Sequence, residues 1–231
     1  MLVDYKKFFL SHQIDLTEIQ LQQLNEYADL LIQWNKKFNL TAITDKKDIY
    51  VKHFLDCLLL GKLFNPNDNL IDVGTGAGFP GLVLKIYNPN LEVCLLEPNN
   101  KKISFLNEVI SALNLKKVYV SNQRAEDFAK KNFETFKFST ARAVASLDIL
   151  SELCLPLVQV GGHFLAMKGP KGYEELKQAE KAIEILGAEI NKISEFGLDE
   201  DNVRLIIDLK KIRNTPNQYP RNYGQIKKKP L

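Results

Sequence analysis

The sequence predicts an α/β fold with a mostly parallel sheet and helices on both faces. From residue 70 onward, short apolar strands alternate with segments of helical periodicity, which is typical of βαβ units. The first strand runs directly into a glycine-rich loop, as in many nucleotide-binding α/β domains. The last two strands are separated by only a few residues, which predicts a closing antiparallel hairpin.

The elements follow in order along the chain. Two helical stretches, over about 16–38 and 49–64, precede any strand, and Thr17 with Gln20 fits a capping box at the start of the first. Strands are predicted over 70–73, 92–97, 118–122, 136–144, 163–169, 190–196 and 203–209, with helical stretches from about Pro80, over 101–113, 125–132, 146–158 and 173–187. We expect an N-terminal helical extension (1–48), a catalytic domain (49–213) and a basic tail (214–231).

Composition restricts the protein class. The chain has 231 residues and is 45% hydrophobic, which suffices for one α/β domain with an extension. Its N-terminus lacks the pattern of a signal peptide, and the sequence has no apolar stretch of about 18 residues, so we expect a cytoplasmic protein without membrane spans. Cys57, Cys94 and Cys154 lie far apart, which predicts reduced, buried thiols and neither a disulfide nor a metal site.

The positive charge is concentrated at the C-terminus. The chain carries 31 basic and 28 acidic residues. Seven of the basic residues and none of the acids fall within 210–231: Lys210, Lys211, Arg213, Arg221, Lys227, Lys228 and Lys229. The rest of the chain is therefore net negative. Such a tail can contact phosphates, and the alternative is a solvated, disordered end.

The loop DVGTGAGFPG (72–81) has the form D-x-G-x-G-x-G, with Asp72 on the strand and Gly74, Gly76 and Gly78 after it. Glycines at these positions allow a sharp turn and a close approach of the backbone to a ligand. Read from Gly76, the loop also fits G-x-G-x-x-G, which alone is weak evidence for a dinucleotide. The register argues against a dinucleotide, because that fingerprint should open directly after the strand, and a P-loop is excluded because G-K-[ST] is missing. A tight turn without a ligand is the remaining alternative.

Two carboxylates indicate which ligand the loop holds. Glu97 ends the second strand, where a carboxylate can accept both ribose hydroxyls of either NAD or S-adenosylmethionine. Asp72 favours the second ligand, because it would lie close to a cationic amino acid moiety. Five parallel strands closed by a hairpin are likewise the pattern of a seven-stranded methyltransferase sheet.

Several motifs together resemble the small-subunit ribosomal RNA methyltransferase G family, formerly called glucose-inhibited division protein B. They are WNKKFNLTAIT (34–44), HFLDCL (53–58), DVGTGAGFPG (72–81), LLEPNNKKISFL (95–106), RAEDF (124–128) and RAVASL (142–147). The ending TPNQYPRNYGQIKKKPL is similar to the tail of part of that family.

The resemblance implies a class I, Rossmann-like methyltransferase fold and S-adenosyl-L-methionine as cofactor. It also implies methylation of a guanine at N7 in 16S rRNA, near the decoding site. By position, Gly74 and Phe79 would line the cofactor site, Ala125 and Glu126 would lie by the adenine, and Arg142 would reach the methyl-transfer region. Many of these proteins have Asp or another polar residue at the position of Glu97.

The residues fit such a reaction. The sequence has no D-P-P-Y or N-P-P-Y string, the usual pattern for exocyclic amines, and no Pro-Cys pair for cytosine C5. Guanine N7 exposes a lone pair in the major groove and needs no general base. Catalysis would then be a matter of positioning, so we expect no essential proton-transfer residue.

Five further residues are candidates for contacting the RNA. Lys168 ends the fifth strand, and Ser146 follows Arg142 closely; their alternatives are a solvated lysine and a helix cap. Arg142 itself can bind guanine O6 or a phosphate, or form a surface salt bridge. His53 and Asp56 would share a helix face, so an ionised Asp56 could keep His53 charged beside RNA, or the pair could be structural. Asn39 could cap the first helix or touch RNA.

Three other functions stay open at this point. They are an S-adenosylmethionine-dependent enzyme acting on a non-RNA substrate, a non-catalytic RNA- or ribosome-binding module, and an NAD oxidoreductase. We expect a monomer whose partner is 16S rRNA or the small ribosomal subunit.

Overall fold

The computed structural model describes residues 4–197 and 203–231. These residues contain one seven-stranded sheet with the order β3-β2-β1-β4-β5-β7-β6. The strands are β1 (Asn69–Val73), β2 (Glu92–Leu96), β3 (Val118–Ser121), β4 (Phe136–Arg142), β5 (Val158–Lys168), β6 (Ala188–Gly197) and β7 (Val203–Lys211). Strands β1 to β5 pair in parallel, whereas β7 is antiparallel to both β5 and β6. The predicted parallel sheet with a closing hairpin is confirmed.

The helices lie before and between the strands, and the last helix follows β7. They are α1 (Tyr5–Ser11), α2 (Glu18–Phe38), α3 (Lys46–Asp48), α4 (Asp56–Leu58), α5 (Gly81–Tyr87), α6 (Asn100–Ala112), α7 (Ala125–Ala129), α8 (Leu147–Cys154), α9 (Gly172–Ile185) and α10 (Tyr223–Lys228). A π-helical segment, Ile49–Leu55, joins α3 to α4, and short 3-10 helices cover Gly61–Leu63 and Leu155–Leu157. Among the described residues no helix is both long enough and apolar enough to cross a membrane.

The N-terminal region confirms one prediction and differs from two others. The predicted capping box of α2 is present, with Gln20 N–H donating to the Thr17 hydroxyl. The helix predicted over 49–64 is instead divided into π, α and 3-10 segments. Helix α1 was not predicted; Asp4 caps it, and Phe9 is its one fully buried residue.

The sheet separates two hydrophobic cores. Successive residues of β2 alternate between them, with Val93 and Leu95 in one core and Cys94 and Leu96 in the other. The first core contains the N-terminal helices together with α5 and α6, and the second contains α8, α9 and α10. Helices on both faces are therefore confirmed, and all three cysteines are buried free thiols as predicted.

The C-terminal segment is docked on the domain. Lys211 is fully buried, and its ammonium donates to the carbonyl of Leu155 (2.8 Å) and to the hydroxyl of Thr215 (2.6 Å). Arg221 forms a two-point ion pair with the fully buried Glu152. The disordered end considered above is therefore wrong, and Lys211 and Arg221 have structural partners.

Candidate active site at the carboxyl edge of the sheet

Two cavities lie where the parallel strands end, at the point between β1 and β4 where the strand order reverses. Ligands of open α/β sheets bind at this position. The small cavity has a volume of about 160 Å³ and is lined by Gly74, Leu96, Ala125, Glu126, Val144 and Tyr223, among others. The large cavity has a volume of about 410 Å³ and is lined by His53, Asp56, Arg142, Lys168, Glu175 and Arg204, among others. The segment 142–145, formed by the last residue of β4 and the loop after it, contributes to both.

The glycine loop has the backbone conformation that its sequence predicts. Gly74, Gly76 and Gly78 have φ values of +70°, +62° and +98°, in the left-handed region that favours glycine. A Cβ atom on Gly74 would lie 2.7 Å from Val144 Cγ2, so this glycine also permits the close approach of the β1 and β4 loops.

Asp72 lies fully buried beneath this loop. Its Oδ2 accepts hydrogen bonds from the Thr75 hydroxyl (2.6 Å) and from Gly81 N–H (2.8 Å). Its Oδ1 is buried without a hydrogen-bond partner among the described residues. Burial raises the pKa of Asp72 from 3.8 to about 6, although both hydrogen bonds and Arg142 act in the opposite direction.

Glu97 lies at the tip of β2 and connects two loops. Its Oε2 accepts from Gly76 N–H (3.0 Å), and its Oε1 accepts from Asn99 N–H (2.9 Å). Each carboxylate oxygen has a second lone pair, so the side chain can still accept ribose hydroxyls. Ala125 and Glu126, the first residues of α7, are buried in the wall of the small cavity.

Arg142 is the centre of a polar cluster in the large cavity. Its guanidinium donates to Asp56 Oδ2 (2.9 Å), to His53 Nδ1 (3.0 Å) and to the Lys52 carbonyl (3.2 Å). The guanidinium carbon lies 5.0 Å from the centre of the Phe79 ring, within the range of a cation–π contact. Phe79 is therefore the packing platform of this cluster.

His53 is a neutral member of the cluster. Burial and the adjacent Arg142 lower its pKa to about 3. Because Nδ1 accepts from Arg142, the proton lies on Nε2, which faces the Thr41 hydroxyl at 2.9 Å. The idea that Asp56 keeps His53 charged is wrong, since the Asp56 carboxylate instead pairs with Arg142 and, at 3.2 Å, with Arg204.

The other candidate residues have different environments. Lys168 lines the large cavity and donates to the Ala145 carbonyl and to Glu175, both at 2.7 Å, so the solvated alternative is wrong. Ser146 occupies the N-cap position of α8, but its hydroxyl donates to the Asp148 carboxylate. Asn39 is the C-cap of α2 in a left-handed conformation and is exposed, which confirms its capping role.

The sequence did not point to Arg204, Glu175 or Tyr223. Arg204 precedes Leu205, which pairs with Lys168 in the antiparallel register of β5 and β7. Only this register brings Arg204 to Asp56, so no local pattern predicts it.

Comparisons with known proteins identify the family. The family model of rRNA small subunit methyltransferase G matches residues 20–204. The chain belongs to this family. A ribosomal RNA small subunit methyltransferase G of Clostridium tetani (strain Massachusetts / E88) is 46% identical over 211 residues, covering 89% of this chain and 88% of the relative. Its counterpart in Staphylococcus aureus (strain JH9) is 46% identical over 224 residues, covering 95% and 94%.

Solved structures support the fold of this methyltransferase G family member. M. jannaschii TYW2 in complex with AdoMet has a TM-score of 0.55 and 16% identity, covering 68% of this chain and 75% of that one. The predicted class I methyltransferase fold is thereby confirmed. Within the part of the chain that the structure describes, no cluster of three His, Cys, Asp or Glu side chains is arranged to hold a metal ion.

Proposed function

We propose that this protein transfers the methyl group of S-adenosylmethionine to N7 of a guanine in 16S rRNA, near the decoding site. Membership of the family supports the broader statement, methylation of small-subunit rRNA.

S-adenosylmethionine is the cofactor, as the family and the fold imply. The residues present fit it. The unpartnered Oδ1 of Asp72 offers a buried negative charge near the glycine loop, Glu97 has free lone pairs at the tip of β2, and Ala125 lies in the small cavity. We place the adenosyl group in that cavity, with Glu97 toward the ribose. When bound, the cofactor supplies an electrophilic methyl group on a sulfonium.

One observation carries the choice of N7: the described residues lining the large cavity offer no free general base. The carboxylate of Asp56 pairs with two arginines, and that of Glu175 pairs with Lys168. His53 is neutral, but its Nδ1 lone pair accepts from Arg142. Methylation of an exocyclic amine requires loss of a proton, whereas guanine N7 attacks with its own lone pair and yields a cation. The site therefore suits N7.

Catalysis then rests on positioning. Arg142, fixed by Asp56, His53 and the Phe79 ring, is oriented for donation to a base in the large cavity. We assign it to guanine O6, which leaves N7 free for the methyl group. Correct placement of two reacting atoms can supply about 7–11 kcal/mol of the barrier. Lys168 lines the large cavity, whereas Ser146 and Asn39 lie outside the lining of both cavities.

A non-RNA substrate is the second candidate. The cationic lining of the large cavity favours a polyanion such as RNA over such a substrate, since Lys52, Arg142, Lys168 and Arg204 outnumber Asp56 and Glu175.

We also propose that the protein acts as a monomer in the cytoplasm.

The test uses small ribosomal subunits from a strain lacking this gene. The full-length protein is incubated with methyl-labelled S-adenosylmethionine and these subunits, and the RNA is digested to nucleosides. Label in N7-methylguanosine is the expected result. Label in another nucleoside would overturn the assignment to N7, and unlabelled RNA together with intact cofactor binding would overturn the assignment to rRNA. Free 16S rRNA, tested in parallel, identifies the preferred substrate form.

A further inference from the structure

The C-terminal segment contributes one side chain to the small cavity. Ten of the eleven lining residues belong to the sheet, its loops, α7 or α8. The eleventh is Tyr223, the first residue of α10, and it is the one aromatic side chain in the lining. Its ring also lies 5.8 Å from the guanidinium carbon of Arg124, in the loop after β3.

Buried anchors on both sides fix the position of Tyr223. Two residues before it, Arg221 forms its two-point ion pair with Glu152, at 2.8 and 2.6 Å. Three residues after it, Ile226 is fully buried in the second core. Because residues three apart share a helix face, burial of Ile226 directs Tyr223 toward the domain.

We propose that Tyr223 forms a wall of the adenosyl pocket, so that the C-terminal segment is part of the cofactor site. The inference rests on the proposed placement of the adenosyl group in the small cavity. An aromatic ring is the side chain that binds the flat face of a purine best. The guanidinium of Arg124, itself a lining residue, lies over this ring. None of the other described lining residues is aromatic, and the guanidinium of Arg124, which could also stack on a base, already lies over the Tyr223 ring.

The first test measures binding of S-adenosylhomocysteine by calorimetry to full-length variants. Loss of one base–aromatic contact predicts that Tyr223→Ala weakens binding by about tenfold, whereas Tyr223→Phe keeps it within about twofold. Gln225→Ala is the matched control, because this exposed residue lies on the same helix. Limited proteolysis verifies that the tail of Tyr223→Ala stays docked.

Glu97→Ala separates failure of this inference from failure of the cofactor placement. Weak binding by Glu97→Ala with unchanged binding by Tyr223→Ala would overturn the role of Tyr223 alone. Unchanged binding by both variants would overturn the placement itself, and the inference with it.

A second measurement applies if Tyr223→Ala fails to fold or loses its docked tail. Trp34 is the only tryptophan, so Tyr223→Trp in a Trp34→Phe background reports on position 223 alone. A saturable change in its emission on addition of adenosine, and none on addition of methionine, would support the proposal. An emission that responds to neither adenosine nor S-adenosylhomocysteine would overturn it.

Discussion

Asp72 allows a quantitative prediction, because its ionisation should oppose folding and favour cofactor binding. Its pKa is raised from 3.8 to about 6, chiefly by burial. The folded protein therefore holds the proton more tightly than the unfolded chain does. The stabilising contribution is complete below about pH 3.8 and is lost as the pH rises through about 6.

The size of this effect follows from the two pKa values. A difference between 3.8 and about 6 corresponds to about 3 kcal/mol when the carboxyl is fully ionised. Between about pH 5 and about pH 7.5, the free energy of unfolding should fall by roughly 1 kcal/mol from this group alone. Urea denaturation of the wild type and of Asp72→Asn isolates this contribution, because the other titrating groups cancel in the difference.

Cofactor binding should change in the opposite direction. We expect the amino group of the cofactor to be held by ionised Asp72. The fraction of protein molecules in which Asp72 is ionised, and which can therefore bind the cofactor, rises from about a tenth at about pH 5 to nearly all at about pH 7.5. The affinity for S-adenosylhomocysteine, measured by calorimetry, should therefore rise about tenfold in the wild type and stay weak and flat in Asp72→Asn. Asp68→Asn is the matched control, because Asp68 precedes the opposite end of β1 and should leave the wild-type profile intact. A pH-independent affinity of the wild-type protein would refute the reasoning.

Three further predictions concern the ion pairs. Asp56→Asn leaves two guanidinium groups without their buried counterion and should lower the free energy of unfolding by about 3 kcal/mol, against less than about 0.5 for the exposed Asp127→Asn, in urea denaturation. His53 should show no imidazole titration between about pH 5 and about pH 8 by NMR, because its pKa lies near 3; a midpoint in that range would contradict the cluster described above. Glu152→Gln weakens the buried pair with Arg221 and should speed tryptic cleavage of the C-terminal segment, and cleavage at the wild-type rate would argue against this anchor.

Local patterns predicted the fold and the glycine loop well. One continuous βαβ unit contains strand β1, the three glycines of the loop after it and the acid at the tip of β2. Their relative positions therefore follow from the sequence. The end of β4 was predicted two residues too late, because Ala143 adopts a left-handed conformation at φ +57° and breaks the extended chain. Local strand propensity does not predict that an alanine adopts a left-handed conformation.

The substrate side was predicted less completely, because it depends on contacts distant in sequence. Arg142 and Asp56 are 86 residues apart, and Arg204 joins them only through the pairing of β7 with β5. The role of Tyr223 depends on the docking of the C-terminal segment, which the ion pair between Arg221 and Glu152 holds in place. In the sequence, Glu152 is simply one polar residue of a predicted amphipathic helix, so this pairing could not be predicted. These long-range pairings keep His53 neutral and engage the carboxylate of Asp56. The spacing between His53 and Asp56 alone had led to the wrong prediction that Asp56 keeps His53 charged.

The charges around the two cavities indicate what the cations of the large cavity do. Methyl transfer to N7 moves a positive charge from the sulfonium to the base, toward a lining in which four cations outnumber two carboxylates. Such a lining disfavours the charge that develops on the base, so Lys52 and Arg204 cannot accelerate the reaction by stabilising it. Asp48 and Asp56 offset part of the charge of these two residues, and RNA phosphates beside the cavity would offset the excess positive charge of its lining. Free guanosine should therefore be a poor methyl acceptor, whereas an RNA fragment containing the same base should be a good one whose KM rises steeply with salt. Equal rates for the two, measured with labelled cofactor, would show that the cations serve the base itself.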